Sequence, residues 1–244
     1  MNKQSNKWLM GVVSLMMCAS AHSALVLSGT RFIYDSGARA IPVVIMNGSD
    51  KLYGGQVWVE NSADTESIPF SVSPSIFKVK PNKGEQTVQI SQLQSDELKK
   101  DRETLFTLHV QEIPTKPNKG LGEDSGAMVL ASRIVVKLLY RPESLTASRD
   151  RAEERITITR DADKYTFTNP TPYYFAIATV NEKADGVTEA FNQMAPYSAN
   201  TTVLPQVTGN RLSFLAVDDY GGMRTYQCDL AKVSEQCKRV KKKA

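Results

Sequence analysis

The sequence predicts an all-β protein that is built as two β-sandwiches. Apolar residues alternate with polar ones in many short runs, turn residues separate these runs, and no segment carries the long apolar stripe of a helical domain. A period of two is typical of strands with one buried face, and frequent turns are typical of sandwiches. The alternating residues are Val43 and Ile45, Val57 and Val59, Val88 and Ile90, Phe106, Leu108 and Val110, Ile156 and Ile158, and Leu212 and Phe214.

Length and composition agree with two domains and disfavour an enzyme. The chain has 244 residues, which is too long for one typical domain, and its 41% hydrophobic content can fill ordinary cores. A net charge of +4 does not indicate a protein dedicated to nucleic acid. Only two His and three Cys are present, so most zinc sites, Cys-His nucleophiles and histidine relays are excluded. The sequence also lacks an ATP-binding motif, and we expect no cofactor.

The first 23 residues read as a signal peptide for export. Lys3 and Lys7 provide a positive start, residues 8–21 are mostly apolar, and small residues occupy two positions of the segment 21–23. The apolar run is shorter than the about 20 residues that cross a bilayer, so we expect cleavage before Ala24 and no membrane insertion.

Two cysteines remain after cleavage, because Cys18 lies in the signal segment. An exported chain with Cys228 and Cys237 is expected to form one disulfide. Eight residues separate the two, whereas a redox pair usually has two intervening residues. In the chain-entropy model, closing so short a loop stabilises the fold by about 2.5 to 3 kcal/mol.

The domain boundary is predicted just after Pro142, where an apolar strand ends and a charged stretch begins. Residues 24–142 then form the first domain and residues 143–244 the second, each of ordinary size for a sandwich. The loop 115–126 is the most irregular segment of the chain because it contains proline and several glycines.

Two sequence features suggest another function, either catalysis or binding of nucleic acid or lipid, and both are weak indicators. Ser125 follows Glu123 and Asp124 as in some serine proteases, and His109 is the one imidazole left as a base. The serine lies in a loop without a strand to hold it rigidly, which a nucleophile requires. The basic C-terminal residues 238–243 are expected to be a solvated tail rather than a nucleic-acid or lipid site.

The segment 126–142 is long for a strand and is the most informative part of the sequence. Met128, Leu130 and Ser132 share one face of it. An edge strand exposes unpaired N–H and C=O groups, to which a partner can add a strand. Lys137 stands inside an otherwise apolar run, and a lysine there is costly to bury without an anion.

Segments along the whole length of the chain after the signal segment match the pattern of one known family. They are Gly29-Thr30-Arg31-Phe32-Ile33-Tyr34, Gln56-Val57-Trp58, Pro69-Phe70, residues 101–106, Glu112-Ile113-Pro114, residues 137–142, residues 169–174 and Asp219-Tyr220-Gly221-Gly222. In these segments the sequence resembles the periplasmic pilus chaperone family. The resemblance implies two immunoglobulin-like domains set at an angle, with a cleft between them.

Roles for individual residues follow from this resemblance. Arg31 and Lys137 would anchor the terminal carboxylate of a client through charge-assisted hydrogen bonds. Glu103, Arg141 and Asp219 would form a charged network between the domains.

The family's clients are pilus subunits that lack their final strand, and the chaperone lends its own strand to complete them. Here Met128, Leu130 and Ile134 would fill the client's groove, with Ser132 at a position where the family usually has an apolar residue. An outer-membrane usher then receives the complex, and the free protein is a candidate for self-capping as an oligomer. The rival class is a structural or adhesive surface protein with two immunoglobulin-like domains, in which Lys137 would be replaceable.

Overall fold

The computed structural model describes residues 24–62, 66–93, 98–114, 131–184, 187–204, 207, 209–232 and 236–240. Helices in these ranges are limited to short turns at Glu143–Thr146, Ala152–Arg155 and Glu189–Asn192. The strands of the first half are β1 (Leu25–Leu27), β2 (Arg31–Asp35), β3 (Ala40–Asn47), β4 (Tyr53–Asn61), β5 (Phe70–Ser73), β6 (Ile76–Val79), β7 (Gly84–Gln92), β8 (Thr104–Ile113) and β9 (Arg133–Arg141). Those of the second half are β10 (Thr157–Asp161), β11 (Lys164–Thr168), β12 (Ile177–Val180), β13 (Ala199–Val203), β14 (Arg211–Val217), β15 (Met223–Asp229) and β16 (Cys237–Arg239).

The first half forms a sandwich of a four-stranded sheet, in the order β1-β3-β7-β5, and a five-stranded sheet, in the order β2-β9-β8-β4-β6. Alternation determines which side chains meet between the sheets. In β3, Val43 and Ile45 are fully buried whereas their neighbours are partly exposed. They pack with Phe106 and Leu108 of β8 in one apolar core. The core-facing residues predicted from the period of two are therefore confirmed.

The pairing of β2 with β9 is parallel, whereas every other strand pair is antiparallel among the described strands. Its register begins with Arg31 opposite Lys137 and ends with Asp35 opposite Arg141. On its other side β9 pairs with β8 from Arg133 to Tyr140. Residues 133–136 of β9 therefore have a partner on one side only among the described strands.

The second half forms another sandwich, in which the sheet β10-β11-β13 faces the sheet β12-β14-β15-β16. Its core is rich in aromatic rings, and Phe167 contacts Phe191 edge to face at 5.1 Å between ring centroids. Together the two halves confirm the prediction of an all-β protein with two sandwiches. The boundary at residues 142 and 143 stays a prediction.

Cys228 and Cys237 form a disulfide that joins β15 to β16 at directly opposed positions. Both residues are buried in the core of the second sandwich. The bond thus holds the short terminal strand against its neighbour, as the sequence suggested.

Denatured but unreduced protein from an oxidising compartment should therefore contain no reactive thiol at these two positions. Replacing both cysteines by alanine is expected to reduce the free energy of unfolding by about 2.5 kcal/mol. Thiol labelling and chemical denaturation measure the two effects. Labelling of Cys228 and Cys237 before reduction would contradict the prediction.

A small apolar cluster connects the two sandwiches. Leu105 and Leu139 project from the outer face of the first sandwich and contact Tyr174 of the second. Each of the three side chains is at most 7% exposed. Because this contact lies beside the parallel β2–β9 pair, the junction of the domains is adjacent to Arg31 and Lys137.

Candidate functional site

Arg31 and Lys137 lie side by side at the junction of the two sandwiches. They are directly opposed in the parallel β2–β9 register, so their side chains leave the sheet on the same face. Arg31 is 9% exposed, and Lys137 is half-buried. The structure therefore brings together the two cations that the sequence singled out, although they are separated by more than one hundred residues in the chain.

Both cations are held by neutral oxygen atoms of the second sandwich. Arg31 Nη1 donates to the carbonyl oxygen of Val217 at 3.0 Å. Lys137 Nζ donates to the side-chain oxygen of Asn192 at 3.1 Å and to the backbone carbonyl of the same residue. Within the described part of the chain, neither cation makes an ion pair.

Neither positive charge is neutralised by an ion pair among the described residues, although the charge of Glu189 acts on Lys137 and that of Asp219 acts on Arg31. Burial, together with the charge of Arg31, lowers the pKa of Lys137 to about 8. Burial also lowers the pKa of Arg31, although the charge of Asp219 opposes this effect. Arg31 Nε is buried and has no acceptor among the described residues. A carboxylate bound here would neutralise charge and accept hydrogen bonds from both side chains.

The open edge of β9 leads directly to these cations. The backbone N–H of Glu112 donates to the carbonyl of Ser132, so the alternation of an antiparallel pair turns the backbone groups of Arg133 and Val135 away from β8. The backbone carbonyl of Arg141 follows the same alternation, because it accepts from Ser36 on the β2 side. An added strand would find these groups unpaired within the described residues.

The four residues predicted to fill a client groove differ in what the structure shows. Met128 and Leu130 lie outside the described residues. Ser132 is half-buried at the root of β9, and Ile134 packs against the core of the first sandwich. Because residues two apart in extended backbone share a face, Ser132 and Ile134 lie on the same side of this segment.

Glu112 holds the segment just before β9 in place, and the sequence alone did not assign a role to this residue. The side chain is 6% exposed. One carboxylate oxygen accepts from the backbone N–H of Leu25 at 2.8 Å, and the other accepts from that of Ser132 at 3.3 Å. The carboxylate thus ties β1 to the start of the edge strand. In the sequence, Glu112 belongs to the Glu112-Ile113-Pro114 segment that matches the family, but that match does not indicate which backbone groups the carboxylate binds.

Glu103, Arg141 and Asp219 meet at the junction of the sandwiches. Arg141 Nε lies 2.7 Å from a Glu103 carboxylate oxygen, and Arg141 Nη1 lies 2.7 Å from one of Asp219. Glu103 also accepts from the backbone N–H of Tyr174 at 2.7 Å, which links it to the second sandwich. Burial alone would raise the pKa of Asp219, but the hydrogen bond from Arg141 and the nearby Arg149 lower it.

Two further members of this network were missed at the sequence level. Arg149 Nη2 lies 2.7 Å from Glu153, and Arg149 Nε lies 3.4 Å from Asp219. Both side chains are at least nine-tenths buried. In the sequence they belong to a charged stretch after the predicted domain boundary, and such charged stretches are more often exposed to solvent. The network therefore runs from the first sandwich through the connecting segment to the second.

Of the two residues that suggested catalysis, only His109 lies within the described residues. His109 stacks on Trp58 at 5.1 Å between ring centroids, and its Nε2 lies 3.3 Å from a Glu60 oxygen and 3.0 Å from Thr107 Oγ1. Ser125 lies outside the described residues. Among the described residues, no group of three or more potential metal ligands is present. No helix within the described ranges is long and apolar enough to cross a membrane.

Two β-sandwich domains, with an open strand edge that ends at a pair of cations, define a class of protein suited to binding an extended chain with an anionic end. The model of the pili and flagellar-assembly chaperone family, N-terminal domain, matches residues 24–146. The model of its C-terminal domain matches residues 151–228. The chain therefore belongs to the pilus-assembly chaperone family and has a non-enzymatic role in pilus assembly.

Individual relatives agree with this family. The chain is 38% identical to the chaperone protein FanE of Escherichia coli over 233 residues, which cover 93% of this chain and 100% of FanE. It is 32% identical to the chaperone protein FimC of Escherichia coli strain K12, over 86% of each chain.

Solved structures show the same fold of two immunoglobulin-like domains. The periplasmic chaperone SfaE matches with a TM-score of 0.65 and 28% identity, covering 84% of this chain and 97% of that one. A structure of the SafA pilin in complex with the SafB chaperone, from Salmonella enterica, matches with a TM-score of 0.73 and 22% identity. This match covers 87% of this chain and 99% of that one.

Proposed function

We propose that this protein is a periplasmic chaperone that binds and caps incomplete pilus subunits by lending them its strand β9. The observation that carries the proposal is that the open edge of β9, at residues 133–136, ends at Arg31 and Lys137. The edge supplies backbone hydrogen bonds that tolerate different client sequences, and the cations supply a fixed end point.

The direction of the client strand follows from this arrangement. A strand whose terminal carboxylate lies at Lys137 and whose preceding residues lie toward Arg133 must run parallel to β9. β2 already runs parallel to β9 and begins where the client strand would end. The client strand would therefore lie in line with β2 as a further segment of the same sheet, without opposing its direction.

Folding of the client would be driven by burial of its exposed groove, at about 25 cal/mol for each Å² of apolar surface. Met128, Leu130, Ser132 and Ile134 are the proposed groove-filling row. An outer-membrane usher would then receive the capped subunit. In the absence of a client, two copies of this chain are expected to cover each other's open edges. These steps need neither a nucleotide nor a membrane segment.

Co-production with individual pilus subunits in the periplasm tests the proposal. A true client should be degraded or aggregated alone and recovered as a soluble one-to-one complex with this protein. A secreted immunoglobulin-like domain that has all its strands is the control, and it should not co-purify. Failure to keep any pilus subunit soluble would contradict the proposed function.

The affinity for a client is expected to fall at alkaline pH. Burial and the charge of Arg31 lower the pKa of Lys137 to about 8 in the free protein, and a bound carboxylate would raise it again. Below about pH 7 the ammonium is charged in both states, so affinity is constant. Above about pH 8 the complex retains a proton that the free protein has lost, so affinity falls by up to about tenfold per pH unit.

Titration calorimetry with a client peptide across this pH range measures the effect. Lys137→Arg is the matched control, because a guanidinium stays charged throughout and should give a flat profile between pH 7 and 9. A flat profile for the unmodified protein would contradict the assignment of Lys137.

A further inference from the structure

The second sandwich contacts the proposed anchor through Asn192. This residue ends the short helix Glu189–Asn192 and is itself exposed. Its neighbours Phe191 and Met194 are fully buried in the core of the second sandwich. The backbone around Asn192 is therefore held in place, which positions its carbonyl oxygen beside Lys137, while the exposed side chain supplies the second acceptor.

The contacts of Asn192 resemble those expected of a client carboxylate. Lys137 has three N–H donors, and two of them point at the backbone and side-chain oxygens of Asn192. An amide oxygen accepts a hydrogen bond from an ammonium in the same geometry as a carboxylate oxygen but brings no net charge. The repulsion between Lys137 and Arg31 is therefore left in place until an anion arrives.

We infer that Asn192 is a positioning residue of the anchor, whose side-chain oxygen is a neutral stand-in that the client carboxylate displaces from Lys137. This inference rests on the proposed function and adds a residue of the second domain to the site. Neutrality is the essential property. A neutral acceptor holds the ammonium in position in the free protein, yet a carboxylate replaces it with a gain in charge compensation.

The change Asn192→Asp tests this inference, because it places a permanent carboxylate beside Lys137. The probe is a synthetic peptide of about ten residues, copied from the C-terminus of a pilus subunit that the protein keeps soluble, prepared as free acid and as amide. In the unmodified protein the free acid should bind more tightly. In Asn192→Asp that preference should shrink by about 30-fold or disappear, whereas binding of the amide should change little.

Two further variants keep the test decisive. Asn192→Ala removes the side-chain acceptor without adding charge and should retain the preference for the free acid. Asn210→Asp makes the same chemical change in an exposed turn just before β14. Val217 lies at the other end of that strand, so this change should leave the affinities for the free acid and the amide unchanged.

The outcomes separate the inference from the proposed function. If Asn192→Asp keeps the preference of the unmodified protein, or if Asn192→Ala loses it, Asn192 is not a displaceable stand-in. If the unmodified protein itself binds the free acid and the amide equally, the carboxylate anchor fails. Thermal melting of each variant shows whether a loss of binding comes from unfolding.

Discussion

Replacing Lys137 or Arg31 by alanine is expected to abolish stable client capture without unfolding the protein. Each change removes one of two cations that would hold the client carboxylate in a partly buried site. Loss of one partner from a buried, hydrogen-bonded charge pair costs about 2 to 5 kcal/mol, which corresponds to about 30- to several-thousand-fold in affinity. The folded state should lose little, because both side chains contact only neutral acceptors among the described residues.

The comparison of peptide forms gives this experiment its specificity. A client peptide with an amidated C-terminus should bind the unmodified protein about as weakly as the free acid binds Lys137→Ala. Lys164→Ala is the matched control, because Lys164 is exposed on β11 of the second sandwich. It should change neither affinity nor thermal stability. Equal binding of the acid and the amide by the unmodified protein would exclude a carboxylate anchor, even if both alanine variants failed.

Much of the fold was predictable because it depends on local patterns. The period of two identified the inward-facing residues of β3, β7 and β8 without knowledge of their partners, since alternation alone assigns a strand's two faces. The disulfide was predictable from the number of cysteines, because Cys228 and Cys237 are the only cysteines beyond the predicted signal segment.

The parallel pairing of β2 with β9 could not be derived from the same patterns. Each strand's sequence fixes which residues share a face but not which strand lies beside it. Arg31 and Lys137 were placed together only through the family resemblance. Once the register is known, their proximity follows directly, because opposed residues of a parallel pair project to the same side of the sheet.

The residues contributed by the second sandwich were the least predictable part of the site. Asn192 contacts Lys137 although 55 positions separate them, and the contact depends on how the two sandwiches meet. Arg149 and Glu153 had the composition of an exposed linker, yet both are buried in the charged network. The two residues are only four positions apart, but their burial depends on Asp219 of the second sandwich, which also lies close to Arg149 and which no local pattern places there.

The anchor and the network are electrostatically connected. Asp219 pairs with Arg141, and its negative charge also acts on Arg31, where it opposes the effect of burial on the pKa. The network thus provides a negative charge near the cation pair without occupying it. Arg31 is charged at the domain junction, as a guanidinium is at any physiological pH, and its Nε has no acceptor among the described residues and could donate to a client oxygen.

The last prediction concerns the open edge of β9. Val135→Pro is expected to weaken client binding by about tenfold or more, while the fold is retained. The backbone N–H of Val135 points away from β8, so its loss should leave the β8–β9 ladder intact. Proline is tolerated where a strand's N–H has no ladder partner, and it leaves a client carbonyl without a donor.

Val136 supplies the control, because successive N–H groups of a strand point to opposite sides, and proline at this position should therefore affect the fold. The N–H of Val136 points toward β8, so Val136→Pro should remove a ladder hydrogen bond and destabilise the domain by about 1 to 3 kcal/mol. Thermal melting and client titration of both variants separate the two effects. If Val135→Pro melts like Val136→Pro, its N–H belongs to the ladder. If it folds normally and binds the client with unchanged affinity, the client strand does not pair with this edge, and the cation pair must bind the client in another way.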